Sequence, residues 1–283
     1  MQTDLDYTRE QLQDLFTDNE IRSFYLLMSE KITGLSRTEL LTNKNTFFSI
    51  EQRNKLDFFI GKLKKSEPIQ YILGETEFYG LNFIVNPSVL IPRPETEELV
   101  EWIEKENIDM HDLKILDIGT GSGCIALSLK NIFREAEVSA FDVSKKALET
   151  AAENAKLNKL SVSFKQVDIF DIKDIEDKWD IIVSNPPYIP KSEKAGIQSN
   201  VLDYEPHLAL FVPDEDPLIF YREIAYFALR QLNPQGKLYF EIHRDKGKDC
   251  VKMLEDAGFK NVEMRKDMFG NNRMVRAEIL YCV

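Results

Sequence analysis

The sequence predicts an α/β protein: a mostly parallel sheet with an antiparallel last strand, preceded by a small helical domain and a hairpin. Three observations carry this. From Leu113 onward, apolar strand-like runs alternate with amphipathic stretches roughly 10–15 residues long, the rhythm of strand–helix–strand units. Before Pro68 the apolar spacing is helical instead. The last two strand-like runs, NVEMRKD and MVRAEILY, are joined only by MFGNNR, too short for a parallel crossover. At 283 residues the chain has room for one large domain or two smaller ones.

Taken in order, Tyr7, Leu12, Leu15 and Phe16 form a first helical stripe, and Phe24, Leu26, Leu27 and Met28 a second. Ser36 and Glu39 have the spacing of a capping box. Leu56, Phe59, Ile60 and Leu63 share one face of a further helix. Between about Pro68 and Pro94 aromatic and polar residues alternate around Gly74 and Gly80, which reads as a hairpin closed by Pro92 and Pro94. A helix follows from Thr96, its first turn acidic as the helix dipole favours. The expected division is therefore 1–70 helical domain, 71–94 hairpin linker and 95–283 sheet domain.

Composition narrows the function. The chain carries a net charge of −12, with 36 Lys and Arg against 48 Asp and Glu. Residues 1–74 hold 10 basic and 11 acidic side chains; the remainder holds 26 and 37, so the acidity lies with the sheet. A field of that sign repels phosphate backbones, and direct nucleic-acid binding is not expected. No apolar run approaches the ~18 residues of a membrane helix, and the first residues lack the order of a signal peptide. Cys124, Cys250 and Cys282 form no disulfide framework, and His111, His207 and His243 are too scattered for a metal site. The expectation is a cytoplasmic, monomeric protein without a metal.

Two motifs carry chemistry. Asp117-Ile-Gly119-Thr120-Gly121-Ser122-Gly123 follows an apolar strand and opens a helix. Glycines there let the backbone approach a ligand closely. Cys124 takes the place of the third glycine of a dinucleotide fingerprint, and Asp142 ends the next strand about 20 residues on, where an acid reaches a ribose. The loop suits S-adenosylmethionine, with a dinucleotide or a purely structural turn as alternatives. Asp168 ends the third strand and is a candidate for the adenine amine, against a solvated strand end. Cys124 is expected to pack in the core.

The second motif, Asn185-Pro186-Pro187-Tyr188, ends the apolar run WDIIVS. Two prolines remove two donors and fix φ, leaving the Asn185 side-chain oxygen and the Pro186 carbonyl as rigid acceptors. A conjugated NH2 group needs such a pair. Each acceptor takes one N–H, which orients the nitrogen toward an electrophilic methyl and stabilises charge developing on it. Tyr188 can pack against the planar group. An adenine amine and a carboxamide fit equally well.

The segments IPRPETEELVEW (91–102), LDIGTGSGCIALSL (116–129), FDVS (141–144), SNPPYIP (184–190), YEPHLAL (204–210) and FGNNRMVRAEI (269–279) resemble the HemK family of protein-(glutamine-N5) methyltransferases, over nearly the whole chain. The resemblance implies a class I methyltransferase domain of Rossmann-like topology behind a helical substrate-docking domain. It implies S-adenosylmethionine as cofactor and, as protein partner, bacterial class 1 peptide chain release factors, methylated on the glutamine of their Gly-Gly-Gln loop. Catalysis would fall to Asn185, Pro186 and Tyr188. The cofactor would lie against Gly119, Thr120, Gly121, Ser122, Gly123, Asp142, Asp168, Ile169 and Asn185, and the glutamine against Asn185, Pro186, Pro187 and Tyr188. The family often has an aromatic residue after the third-strand acid; Ile169 stands there, implying aliphatic packing on the adenine. Arg93 and Glu95 are candidates for shaping the pocket, and Glu205 and His207 for a lid. Alternatives are a ribosomal-protein glutamine or an adenine-N6 nucleic-acid methyltransferase, and a binding module without catalysis.

Overall fold

A computed structural model describes residues 3–42, 48–172 and 175–280. Tyr281 of the expected final strand and Cys282 lie outside the described residues. The chain forms two compact units, one of Met1–Gly74 with Gln198–Tyr204, the other of Glu75–Ile197 with Glu205–Val283.

The first unit is helical: α1 (Asp4–Leu12), α2 (Asp18–Thr33), α3 (Arg37–Thr42), α4 (Ile50–Leu63) and α5 (Ile69–Leu73). Thr17 with Glu20 and Ser49 with Gln52 close capping boxes at the starts of α2 and α4, and Ser36 with Glu39 does so before α3. Leu12, Ile21, Met28, Leu56, Ile60 and Leu63 fill its core, each apolar side chain contributing on the order of 1.5–3 kcal/mol. Asp4, buried beneath them, is paired by Arg53 and accepts the Phe48 N–H. The segment Gln198–Tyr204 is tied to the unit where the Tyr204 hydroxyl donates to the Lys65 carbonyl at 2.7 Å.

Two sequence expectations shift here. Leu15 is 56% exposed, because α1 ends at Leu12 and the chain turns to reach the Thr17 cap. PIQYIL is a helical turn, not hairpin: Ile69, Tyr71 and Ile72 are buried together, and Gly74 ends the turn at φ +75°. A left-handed glycine at that position is a common helix stop.

The second unit opens with the hairpin of β1 (Glu75–Phe78) and β2 (Leu81–Ile84). Then follow α6 (Pro94–Asn107), β3 (Lys114–Ile118), α7 (Cys124–Ile132), β4 (Glu137–Asp142), α8 (Lys145–Asn158), β5 (Ser163–Gln166) and β6 (Trp179–Ser184). The chain continues through β7 (Ile189–Pro190), α9 (Ser199–Leu202), β8 (Phe211–Val212), α10 (Ile219–Gln231), β9 (Leu232–Glu241), α11 (Gly247–Ala257), β10 (Lys260–Lys266) and β11 (Asn272–Glu278). α6 begins at Pro94, two residues before Thr96, since a proline without an N–H costs nothing in a first helical turn.

The seven-stranded sheet runs β10-β11-β9-β6-β3-β4-β5. β11 is antiparallel to both neighbours, and β9, β6, β3, β4 and β5 are mutually parallel. One face is covered by Leu99, Ile103, Ile125 and Leu129 of α6 and α7, the other by Tyr221, Phe227 and Leu254 of α10 and α11. The chain winds outward from β3 to β4 and β5, then returns to place β6 on the other side of β3. That reversal opens a crevice at the carboxyl ends of β3 and β6, where open α/β sheets bind ligands. The hairpin seats on α8, with the Ile84 N–H donating to Asn154 Oδ1 at 2.6 Å. Asn154 Nδ2 in turn donates to the Ser122 carbonyl at 2.9 Å, so one buried amide anchors both hairpin and glycine loop.

Candidate active site

A cavity of about 310 Å³ occupies the crevice. One wall is the loop after β3. Gly119, Gly121 and Gly123 all have positive φ, which side chains with a Cβ resist. The Gly119 and Thr120 N–H groups donate to the Phe141 carbonyl at 2.8 and 3.0 Å, clipping the loop to β4. Asp142, at the end of β4, accepts the Gly121 N–H at 2.9 Å and the Ser144 N–H at 2.8 Å. Burial nevertheless raises its carboxyl above the usual range, against the pull of those amides.

Asp117 lies wholly buried behind the loop. Thr120 Oγ1 donates to its Oδ2 at 2.6 Å, while Oδ1 has no full hydrogen bond, although the Ala126 amide favours its charged form. Desolvation outweighs both and pushes the carboxyl up to about 7. Cys124 lines the cavity and is only partly buried, packed against the core; desolvation raises its thiol to about 12, as suits a packing residue rather than a nucleophile.

The opposite wall follows β6. Ser184 Oγ donates to the Ile118 carbonyl at 2.6 Å, locking the two strand ends together. Asn185, Pro186 and Pro187 line the cavity. Behind them Tyr188 donates to Glu241 Oε1 at 3.0 Å, and its phenol is held far above its ordinary range, first by burial and then by that carboxylate. Glu241, at the end of β9, also accepts the Thr96 hydroxyl at 2.6 Å, and Asn185 Nδ2 reaches Thr96 Oγ1 at 3.4 Å. Burial raises the Glu241 carboxyl while Arg273 opposes the shift.

Of the residues singled out from the sequence, Gly119, Thr120, Gly121, Ser122, Asp142, Asp168, Ile169, Asn185, Pro186 and Pro187 are brought to this one cavity. Gly123 and Tyr188 are not among its lining. Gly123 is the N-cap of α7, where a Cβ would sit 3.2 Å from Ala151, so its smallness serves helix packing. Tyr188 stands behind the wall with its hydroxyl turned to Glu241. Asp168 uses Oδ1 to cap the Phe170 N–H at 2.9 Å. Ile169 lines the cavity, and so does its neighbour Phe170, edge-on to Phe220 with ring centroids 5.0 Å apart. Its place next to Ile169 was the available signal.

Arg93 lines the cavity and pairs with Glu205, which is buried and also accepts the Ile91 N–H at 3.1 Å. Glu205 thereby pins the loop whose Pro206, Leu208 and Ala209 close one side. His207 itself packs edge-on against Phe211. Thr96 and Glu241, which sequence reasoning did not single out, lie 89 and 56 positions from Asn185 in the chain. Among the described residues no three His, Cys, Asp or Glu side chains gather as a metal site, and no helix is long and apolar enough to cross a membrane.

Comparison with known proteins gives this geometry a context. A family model described as "PrmC N-terminal domain" matches residues 5–74, and one described as "Methyltransferase small domain" matches residues 94–203. A curated protein of Flavobacterium psychrophilum named release factor glutamine methyltransferase is 50% identical over 94% of both chains. The chain belongs to the release factor glutamine methyltransferase family. A relative of the same name from Bacteroides thetaiotaomicron is 46% identical, covering 96% of this chain and 97% of its own. Among solved structures, the hMettl16 catalytic domain, crystallised with an RNA hairpin, aligns at TM-score 0.56 and 18% identity over 72% of this chain and 78% of its own. A Pyrococcus furiosus methyltransferase aligns at TM-score 0.53 and 20% identity over 77% and 96%. Both share the fold.

Proposed function

We propose that the protein transfers a methyl group from S-adenosylmethionine to the side-chain amide nitrogen of the Gly-Gly-Gln glutamine in class 1 peptide chain release factors. The observation that carries this reading is the convergence of Asn185-Pro186 and the glycine loop on one cavity in a chain of this family.

The residues present fit the cofactor. Gly119 and Gly121 face open space where a Cβ would stand, so the backbone can approach a ligand. Asp142 offers an anionic acceptor for a ribose diol, and Ile169 and Phe170 offer an apolar slot for a flat base. When bound, S-adenosylmethionine supplies an electrophilic sulfonium methyl.

The chain's own residues do the rest. The Asn185 side-chain oxygen and the Pro186 carbonyl each accept one N–H of the substrate amide, holding its plane and turning the nitrogen toward the methyl donor. As positive charge grows on nitrogen, the same two acceptors stabilise it. An amide nitrogen that has gained a methyl is acidic enough to lose its extra proton without a strong base. Both cavity walls come from one chain, so a monomer holds a complete site. The helical unit is assigned to docking the release factor. A net charge of −12 supports an enzyme that does not bind nucleic acid directly, and its release-factor substrate assigns it to the cytoplasm.

The test is methyl transfer from labelled S-adenosylmethionine to an unmethylated release factor, read by peptide mass spectrometry. Label on the Gly-Gly-Gln glutamine, and none when that glutamine is replaced, is the expected result. Label on ribosomal protein or nucleic acid instead would overturn the substrate and keep the cofactor.

A further inference from the structure

We infer that Glu241, acting through Thr96, is a positioning residue that decides which end of the Asn185 amide faces the cavity. An asparagine side chain is nearly symmetric in shape, and a half-turn about its last bond exchanges an acceptor for a donor. The proposed chemistry tolerates only one of the two orientations, so this inference rests on an amide NH2 substrate.

The hydrogen-bond polarity is set from the buried end. Glu241 is 1% exposed and accepts from two hydroxyls, Thr96 at 2.6 Å and Tyr188 at 3.0 Å. A hydroxyl owns one proton. Once Thr96 has donated it to the carboxylate, Thr96 Oγ1 can only accept. The group that meets it must be a donor, and Asn185 Nδ2 stands there at 3.4 Å. Oδ1 is left for the substrate. In the flipped state Asn185 would oppose oxygen to oxygen at Thr96 and present NH2 to the incoming NH2. Burial raises the Glu241 carboxyl and Glu95 acts with it, while the hydrogen bonds from Thr96 and Tyr188 and the charge of Arg273 favour the ionised form that accepts from both hydroxyls. Thr96 lies in the first turn of α6 and itself lines the cavity, and Glu241 lies behind it at the end of β9, so two elements remote in sequence meet at Asn185.

Thr96→Val keeps the shape and removes both the donor and the acceptor. It is expected to lower kcat about tenfold or more, with KM for release factor and the calorimetric affinity for S-adenosylhomocysteine within about threefold of the parent. Thr96→Ser restores the hydroxyl and is expected to recover kcat to within about threefold. Glu241→Gln keeps one acceptor and reverses the other contact, so it is expected to lower kcat by less than Thr96→Val does, because its carbonyl can still accept from Thr96 while its NH2 faces Tyr188. In the protein without ligands, the Asn185 side-chain NH2 resonances should shift in Thr96→Val and stay near parental values in Thr96→Ser.

Unchanged kcat in Thr96→Val, or equal losses in the Val and Ser variants, would overturn the inference. So would unmoved Asn185 resonances in Thr96→Val. A parent enzyme that methylates no release factor would remove the functional reading instead, and the resonances would still decide how Thr96 holds Asn185. Should Glu241→Gln fail to fold, the Thr96 pair decides alone.

Discussion

The two walls of the cavity are made of different materials. The glycine-loop wall is backbone: its N–H groups are clipped to Phe141 and Asp142 within about one strand–helix–strand unit, and positive φ gives the curvature. The Asn185 wall is side chain: its geometry depends on Thr96, Tyr188 and Glu241, contributed by separate elements. A backbone wall suits a cofactor that must be gripped in one shape. A side-chain wall, with its hydrogen-bond polarity fixed from behind, suits a reacting group whose donors and acceptors must be distinguished.

That contrast breaks first at Asn185. Asn185→Ala is expected to lower turnover by about 10²–10³-fold while leaving S-adenosylhomocysteine affinity within about threefold in calorimetry. A parallel loss of affinity would show that the two walls do not divide the work. Asp142→Ala is the converse: affinity should fall by about 10–100-fold, the value of hydrogen bonds to a charged group. Single-turnover rates at saturating cofactor should change much less.

Gly123→Ala sharpens the distinction within the glycine loop itself. With φ +82° and a Cβ 3.2 Å from Ala151, it should cost about 1–2 kcal/mol of stability in denaturant unfolding, before any effect on binding. The last effect is electrostatic and is spread over several pH units. The Asp117 carboxyl titrates near 7 in the folded chain against a usual value of 3.8, so the native state holds its proton more tightly. Stability from this group is complete below about pH 4 and is lost as pH rises through 7. The slope is at most about 1.4 kcal/mol per pH unit. Asp117→Asn should remove that slope, visible as a difference between the two unfolding profiles from pH 4 to 7.

The same contrast explains what could be read from the sequence. The glycine loop, Asp142 and Asn185-Pro186 were legible because each motif is short and ends a strand whose apolar run is obvious. The parallel order followed from the helix spacing, and the antiparallel last strand from the brevity of MFGNNR. Thr96 and Glu241 were not legible, because nothing local distinguishes a threonine in an acidic helical turn from a capping residue, or a strand-end glutamate from a solvated one. Their role exists only once α6 and β9 are packed against β6. Asn154, which bonds hairpin and loop together, was hidden for the same reason inside an ordinary amphipathic helix. Phe170 gives no local signal of its own, because the strand-end acid marks only the position directly after it, Ile169. The helical turn at Ile69–Leu73 reads as hairpin in sequence because its aromatic and polar residues alternate, and the left-handed Gly74 fits either ending.

One consequence concerns the short stretch Gln198–Tyr204, which folds with the helical unit although it is encoded in the middle of the sheet unit. The helical unit is therefore assembled from two stretches of chain that are separate in sequence. Removal of residues 1–74 would strip this stretch of the Lys65 carbonyl to which its Tyr204 hydroxyl donates. Shuffling the helical unit between relatives would require exchanging both pieces together, so drift in either is constrained by the other.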